Sequence, residues 1–174
     1  MAKPKKTTIW ITVVIIVLIA IIITFALLNQ NSANQTSDSV TVKIAGNEDV
    51  VYTFDDLNTM DGIITMNKTI KSGSREDETA DFTGILVKDL LLKTTTQDVL
   101  ENASSVTAIS GDGYATSYSI DEILEDDNIL LVFLQDGEKL ISFSDGGSGP
   151  LRIVVMKDEF GTRSAMWVNQ IVLE

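Results

Sequence analysis

The 174-residue chain has no cysteine and no histidine, only two prolines, and 13 basic residues against 25 acidic ones. Without cysteine there is no disulfide framework and no thiolate for a soft metal, so stability has to come from a buried core. Without histidine the chain lacks the usual metal ligand and the usual general base near neutral pH. No imidazole is present to activate Ser or Thr, and no lysine lies in an evidently apolar pocket, so nucleophilic catalysis finds no support. Carboxylates are abundant but fall in polar, loop-like stretches, where ordinary ionisation is expected. The net charge is −12. Lys3, Lys5 and Lys6 are the only charged residues among the first 30, so the remainder carries −15. Such an acidic remainder argues against nucleic acid or anionic headgroups as partners.

What the chain does have is one long apolar run. Thr8 to Leu28 contains no charged residue, and as a helix at about 1.5 Å per residue it spans roughly 31 Å, the thickness of a bilayer core. The three lysines precede it and no basic residue follows closely, which predicts a cytoplasmic amino terminus and an extracytoplasmic remainder. A cleaved signal peptide is the competing reading. The length of the run and the absence of an A-x-A site directly after Leu28 favour a retained single-pass anchor in the cell membrane. Residues 1–7 then form a cytoplasmic basic stub, 8–28 a transmembrane helix, 29–39 a flexible polar linker, and 40–174 one folded domain.

Within that domain Val40, Val42 and Ile44 alternate as in a half-buried strand, and Val50, Tyr52 and Phe54 repeat the pattern after a Gly46-Asn47 turn, predicting a hairpin. A helical turn at Asp55 to Leu57 and a strand through Ile64, Met66 and Ile70 follow. Ser72 to Asp81 reads as a charged loop, and Leu86, Leu90 and Leu91 as one face of a short helix starting near Ile85. Val106 and Ala108 mark a strand ending in Gly111-Asp112-Gly113, and Tyr114 to Ile120 alternate as the next. Ser119 and Glu122 have capping-box spacing for a following helix. Ile129 to Leu134 is a central strand buried on both faces, Asp136-Gly137 a hairpin turn, and Leu151–Met156 and Met166–Leu173 the last strands. Together these give an α+β domain of mixed β-sheets with two or three short helices.

Phe82-Thr83-Gly84-Ile85-Leu86-Val87-Lys88-Asp89-Leu90-Leu91, then Asp112-Gly113-Tyr114, Asp121 to Leu134, Gly149-Pro150-Leu151-Arg152-Ile153-Val154-Val155 and Trp167-Val168-Asn169-Gln170-Ile171 follow one another in register. In this order they resemble the molybdopterin-binding domain of the sulfite-oxidase class of oxidoreductases. The resemblance covers about the last ninety residues and only loosely Val40 to Asp81. It implies mixed sheets holding a pterin cofactor, molybdopterin, in a polar cleft, with a cysteine thiolate on molybdenum in catalytic members. The segment where that cysteine is expected, Thr65 to Ser74, has none. The family's histidine ahead of its Gly-Pro-Leu-Arg-like loop is missing, and Met166 stands where a basic residue often precedes the late Trp. A neutral amide or hydroxyl does not replace a soft anionic sulfur ligand, so ordinary oxygen-atom-transfer chemistry is not expected. No catalytic and no metal-ligating residue is assigned.

The remaining features each carry two readings. Gly146 to Pro150 with Arg152 has the composition of an anion cradle, from backbone N–H donors and a guanidinium; it equally reads as a tight loop entering a buried strand, with Arg152 paired to an acid. Asp112-Gly113-Tyr114 reads as a site rim or as a plain chain reversal. Glu122, Glu125, Asp126 and Asp127 lack the alternating spacing of a calcium loop. Trp167 reads as core or cleft wall, and three sequons begin at Asn34, Asn67 and Asn102. Two functions remain open. In the first, the cleft binds a pterin-like or small anionic ligand through Asp112, Tyr114, Gly147, Gly149 and Arg152. In the second, the domain is a cofactor-free ectodomain contacting a surface protein or electron-transfer partner, with Met66, Met156 and Met166 filling the cleft.

Overall fold

The computed structural model describes residue 15 and residues 17–21, 23–24, 38–73 and 76–174. The chain divides into two units, 1–35 and 36–174. In the first, the described residues are helical and exposed, and among the described residues no helix is long and apolar enough to cross a membrane. Most of the predicted anchor, its basic flank and nearly all of the linker lie outside the described residues.

The second unit is built from two five-stranded sheets. In the first sheet the order is β2 (Val50–Thr53), β1 (Ser39–Ile44), β10 (Val168–Leu173), β5 (Ser105–Ser110), β6 (Ala115–Ser119). Strand β1 runs parallel to β10, and the other pairs are antiparallel. The alternation expected at Val40, Val42 and Ile44 is met, all three being buried while Thr41 and Lys43 are half-buried. The second sheet has the order β3 (Ile63–Ile70), β4 (Glu78–Leu86), β7 (Ile129–Gln135), with β8 (Glu138–Lys139) and β9 (Arg152–Val155) both on the far side of β7. Ile129 to Phe133 are all buried, as the uninterrupted apolar run predicted.

Burial on both faces of β7 follows from two apolar clusters. The larger joins Val40, Val42, Val106 and Ile171 of the first sheet to Ile85, Leu131, Phe133 and Ile153 of the second. The smaller covers the other face of the second sheet, with Phe82, Leu130, Val132 and Val154 at its centre. At roughly 1.5–3 kcal/mol per fully buried large side chain, the two clusters supply the stability that a chain without disulfides needs.

Local signals set the element ends. Ser119 and Glu122 form the capping box of α4 (Ile120–Leu124), and Thr53 with Asp56 forms another for α1 (Phe54–Thr59). Asp136 (φ 52°) and Gly137 (φ 81°) turn β7 into β8, the left-handed pair that a two-residue hairpin demands.

Four expectations are corrected. Glu78 to Asp81 is not loop but the start of β4, because Ala80 and Phe82 alternate inward beneath a charged, threonine-rich outer face. Ile85 and Leu86 complete that strand, so the helix α2 begins at Val87 and runs to Leu92. Phe54 opens a helix instead of ending β2. Helix α3 (Gln97–Glu101), capped by the Thr96 hydroxyl, was not anticipated, so the described residues contain four short α-helices plus two 3-10 turns in the second unit, where two or three were expected.

Candidate functional site

The site is made by closure of the second sheet. Lys71, just past β3, donates its backbone N–H to the Glu159 carbonyl at 2.9 Å. The Lys68 ammonium donates to the carbonyls of Met156 (2.7 Å) and Asp158 (2.5 Å). These bonds draw the end of β3 to the segment after β9 and enclose the smaller apolar cluster between them. Burial of the Lys68 amine holds its pKa below the ordinary lysine range, opposed by the nearby Asp158 charge.

The segment after β9 is held by Arg163. Its Nε and NH2 donate to the two Asp158 carboxylate oxygens at 2.8 and 2.6 Å, and NH1 reaches Glu122 Oε1 at 2.5 Å. The guanidinium bond, with help from the Ser119 amide and hydroxyl, lowers the Glu122 pKa; the Asp158 and Glu122 bonds raise that of Arg163. The Tyr118 hydroxyl donates to the Arg163 carbonyl at 2.7 Å, and burial pushes that phenol's pKa up.

At the mouth of the closed sheet lies a pocket of about 360 Å³, lined among others by Lys71, Glu76, Glu78, Arg152, Phe160 and Met166. Arg152 and Val154 share the inward face of β9, and Glu78, Ala80 and Phe82 share that of β4, which sets Arg152 beside Glu78 and over Phe82. The guanidinium is only 3% exposed, its carbon 5.5 Å from the Phe82 ring centroid. NH1 and NH2 donate to the two Glu78 oxygens at 2.9 and 3.0 Å, a bidentate fork. Arg152 Nε is buried without a hydrogen-bond partner. Lys71, the other pocket cation, is paired with Glu159.

Of the five residues singled out in the sequence, Arg152 alone lines this pocket. Gly147 borders a separate depression beside Lys139 and Ile141. Gly149 is buried against Leu140, where a Cβ would meet Leu140 Cβ at 2.4 Å. Both glycines serve close packing: a Cβ on Gly147 would sit 2.2 Å from the Ile141 carbonyl oxygen. Their amides are not free donors for an anion. Gly147 N–H donates to the Ser142 carbonyl (2.9 Å) and Gly149 N–H to that of Ile141 (2.8 Å). Trp167 pins the same loop, its Nε1 donating to the Gly147 carbonyl at 2.7 Å. Asp112 and Tyr114 lie on the exposed β5–β6 turn, where the Asp112 carboxylate accepts the Tyr114 N–H at 3.0 Å.

The sequence reading missed Glu78, Lys71 and Phe160. The signal for Glu78 was present in the Glu78-x-Ala80-x-Phe82 alternation. The stretch where a cysteine was expected, Thr65 to Ser74, ends at this pocket: Ile70 to Gly73 line it, and Ser74 is outside the described residues.

The model of the oxidoreductase molybdopterin binding domain matches residues 28–174. The chain belongs to this family. Its fold is also that of the sulfane dehydrogenase SoxCD from Paracoccus pantotrophus, with a TM-score of 0.62 and 16% identity over 78% of this chain. The chain spans only 37% of the length of that protein's chain. No curated protein matches it.

The family implies a molybdenum-pterin group, and the residues of this chain do not fit it. The chain has neither Cys nor His, so no thiolate or imidazole meets the metal. The two pocket cations already hold carboxylates, and Glu76 adds a further negative charge beside them. Among the described residues no cluster of three acidic side chains is arranged to hold a metal ion.

Proposed function

We propose that the chain is a membrane-tethered, extracytoplasmic member of the molybdopterin-binding family that works as a binding domain and not as an oxygen-atom-transfer enzyme. The observation that carries this reading is the Arg152–Glu78 fork. A cation that an anionic cofactor would use is satisfied from within the chain, at the pocket where the family's thiolate is missing. The apolar run at 8–28 and its lysine flank support the anchor and the topology.

Metal analysis tests the reading on full-length protein purified from a host that makes the cofactor. Molybdenum well below one equivalent is expected, and near one equivalent with oxygen-atom transfer to a substrate would refute it. Protease treatment of intact cells checks the topology. Digestion of the acidic domain from outside is expected, and complete protection would reject an extracytoplasmic placement.

The pocket itself supports a second reading, a small-solute site. Phe160 and Met166 offer apolar contact, and an anion would have to displace Glu78 or Glu159 to reach a cation. A solute without net negative charge therefore suits it better than the small anion expected from the sequence.

A further inference from the structure

The pocket at which the second sheet closes holds more negative charge than its two cations neutralise. Arg152 is held by both Glu78 oxygens, and Lys71 is salt-bridged to Glu159. Glu76 lines the same pocket and has no cation partner among the described residues. Asp77, next in the chain, accepts the N–H of the lining residue Ser72 at 3.1 Å, and its charge reaches Lys71 as well. Around the mouth, then, Glu76, Asp77, Glu78 and Glu159 stand against only Lys71 and Arg152. Arg163, beside the lining residue Thr162, does not alter this excess, because Asp158 and Glu122 both hold it.

The remainder of the wall is apolar and open to solvent. Phe160 is 46% exposed and Met166 39%, and both line the pocket. The end of β3 fixes where the ring sits. Lys71 and Phe160 form a parallel β-bridge, and Gly161 approaches Ile70 so closely that a Cβ on it would meet Ile70 Cγ2 at 2.8 Å. An aromatic ring and an unmatched carboxylate in one cavity suit an organic cation, because the ring quadrupole and the carboxylate attract the same charge. The Met166 thioether adds a soft apolar contact for alkyl groups. The volume of about 360 Å³ suits a small solute. A bare metal ion fits less well, since among the described residues no three acidic side chains are arranged to hold one. A neutral solute would leave the Glu76 charge unmatched, and the net charge of −12 draws cations to the chain.

We propose that this pocket takes a small organic ammonium ion, with its charge on the Glu76 carboxylate and the Phe160 ring. This rests on the small-solute reading given above and names the class of solute.

Choline and its uncharged carbon isostere, dimethylbutanol, differ in charge and hardly in shape, so they test the class directly. Each is titrated into the full-length chain in a nonionic detergent, with its five methionines isotope-labelled at the methyl group for NMR. Met166→Leu assigns the Met166 signal. Choline is expected to shift that methyl saturably at millimolar concentration and to leave Met60, which packs on the larger cluster, unmoved. The neutral alcohol should bind about three- to fivefold more weakly, and Glu76→Gln should weaken choline by a similar factor without changing the alcohol. Phe160→Tyr should keep the choline affinity, and Phe160→Leu should lower it. Equal affinity for the two probes, or choline binding unchanged in Glu76→Gln, overturns the ammonium class while leaving a solute pocket in place. Sodium chloride that shifts Met166 as choline does would reduce the effect to screening and overturn the proposal too. If neither probe moves Met166, the solute pocket and its ligand class fall together.

Discussion

Glu78→Ala isolates the interaction on which the functional reading stands. Arg152 is 3% exposed and Glu78 35% on its side chain, so the substitution leaves a buried guanidinium facing a pocket that water can enter. Breaking a fully buried pair costs about 3–5 kcal/mol, and the half-open carboxylate side places this one at the lower end, about 3 kcal/mol. For a domain of this size that lowers the thermal midpoint by roughly 10 °C. Urea or thermal unfolding of the full-length protein in detergent reads the loss. Pairing Glu78→Leu with Arg152→Met removes both charges at similar volume and should recover most of the stability. The emptied guanidinium should also acquire a taste for anions: about 10 mM phosphate is expected to raise the midpoint of Glu78→Ala and leave the unaltered chain unchanged. A loss under about 1 kcal/mol, or an equal phosphate response in both proteins, would refute the argument that Glu78 satisfies Arg152.

Three further outcomes follow from the geometry. Glu122 has its pKa lowered by Arg163 first and by Ser119 second; a depressed carboxylate contributes stability above its unfolded pKa that disappears as pH falls through the folded value. The urea-midpoint gap between the unaltered chain and Glu122→Gln should therefore be open at about pH 6 and close towards pH 3, and a gap independent of pH would contradict the assignment. Gly147→Ala drives a Cβ to 2.2 Å from the Ile141 carbonyl oxygen, whereas a Cβ on Gly146 meets nothing within 4 Å and only a φ of 82°. The first should cost about 3 kcal/mol and the second about 1 kcal/mol in chemical denaturation, and the reverse order would be inconsistent with the packing. Trp167→Phe keeps a ring against Phe143 but loses the 2.7 Å bond to the Gly147 carbonyl, an expected loss of about 1–2 kcal/mol by the same assay.

What could be read from the sequence was what neighbours decide. The Ser119–Glu122 capping box, the Asp136-Gly137 turn and the uninterrupted apolar stretch at Ile129 to Leu134 each depend on a few adjacent residues, and each stands in the structure. The family could be read for a related reason: its motifs are runs of strand and turn residues whose order survives divergence. The site could not be read in the same way. Glu78 and Arg152 are 74 positions apart, and their meeting requires the parity of β4, which the charges of Glu78 and Asp81 disguised as a loop. The glycine loop misled for the opposite reason. Its composition suits an anion cradle, but whether an amide is free depends on where Ile141 and Ser142 place their carbonyls, and no local pattern reports that.

On the proposed reading, the same pairing accounts for a fold of this family that works without its family's chemistry. A guanidinium as buried as that of Arg152 is too costly to leave unpaired. In a cleft built for an anionic cofactor, the ligand balances that charge. Where no thiolate holds the ligand, a carboxylate from the same chain has to, and Glu78 supplies it with both oxygens from the strand that also carries Phe82. On the proposed reading, cofactor and Glu78 are alternatives for one cation. Restoring a cysteine between Lys71 and Gly73 while leaving Glu78 in place should not restore molybdenum uptake; the same cysteine combined with Glu78→Ala has the cation available. Metal content of the two variants, each made in a host that synthesises the cofactor, compares them directly, and equal loading would show that Glu78 does not guard the site.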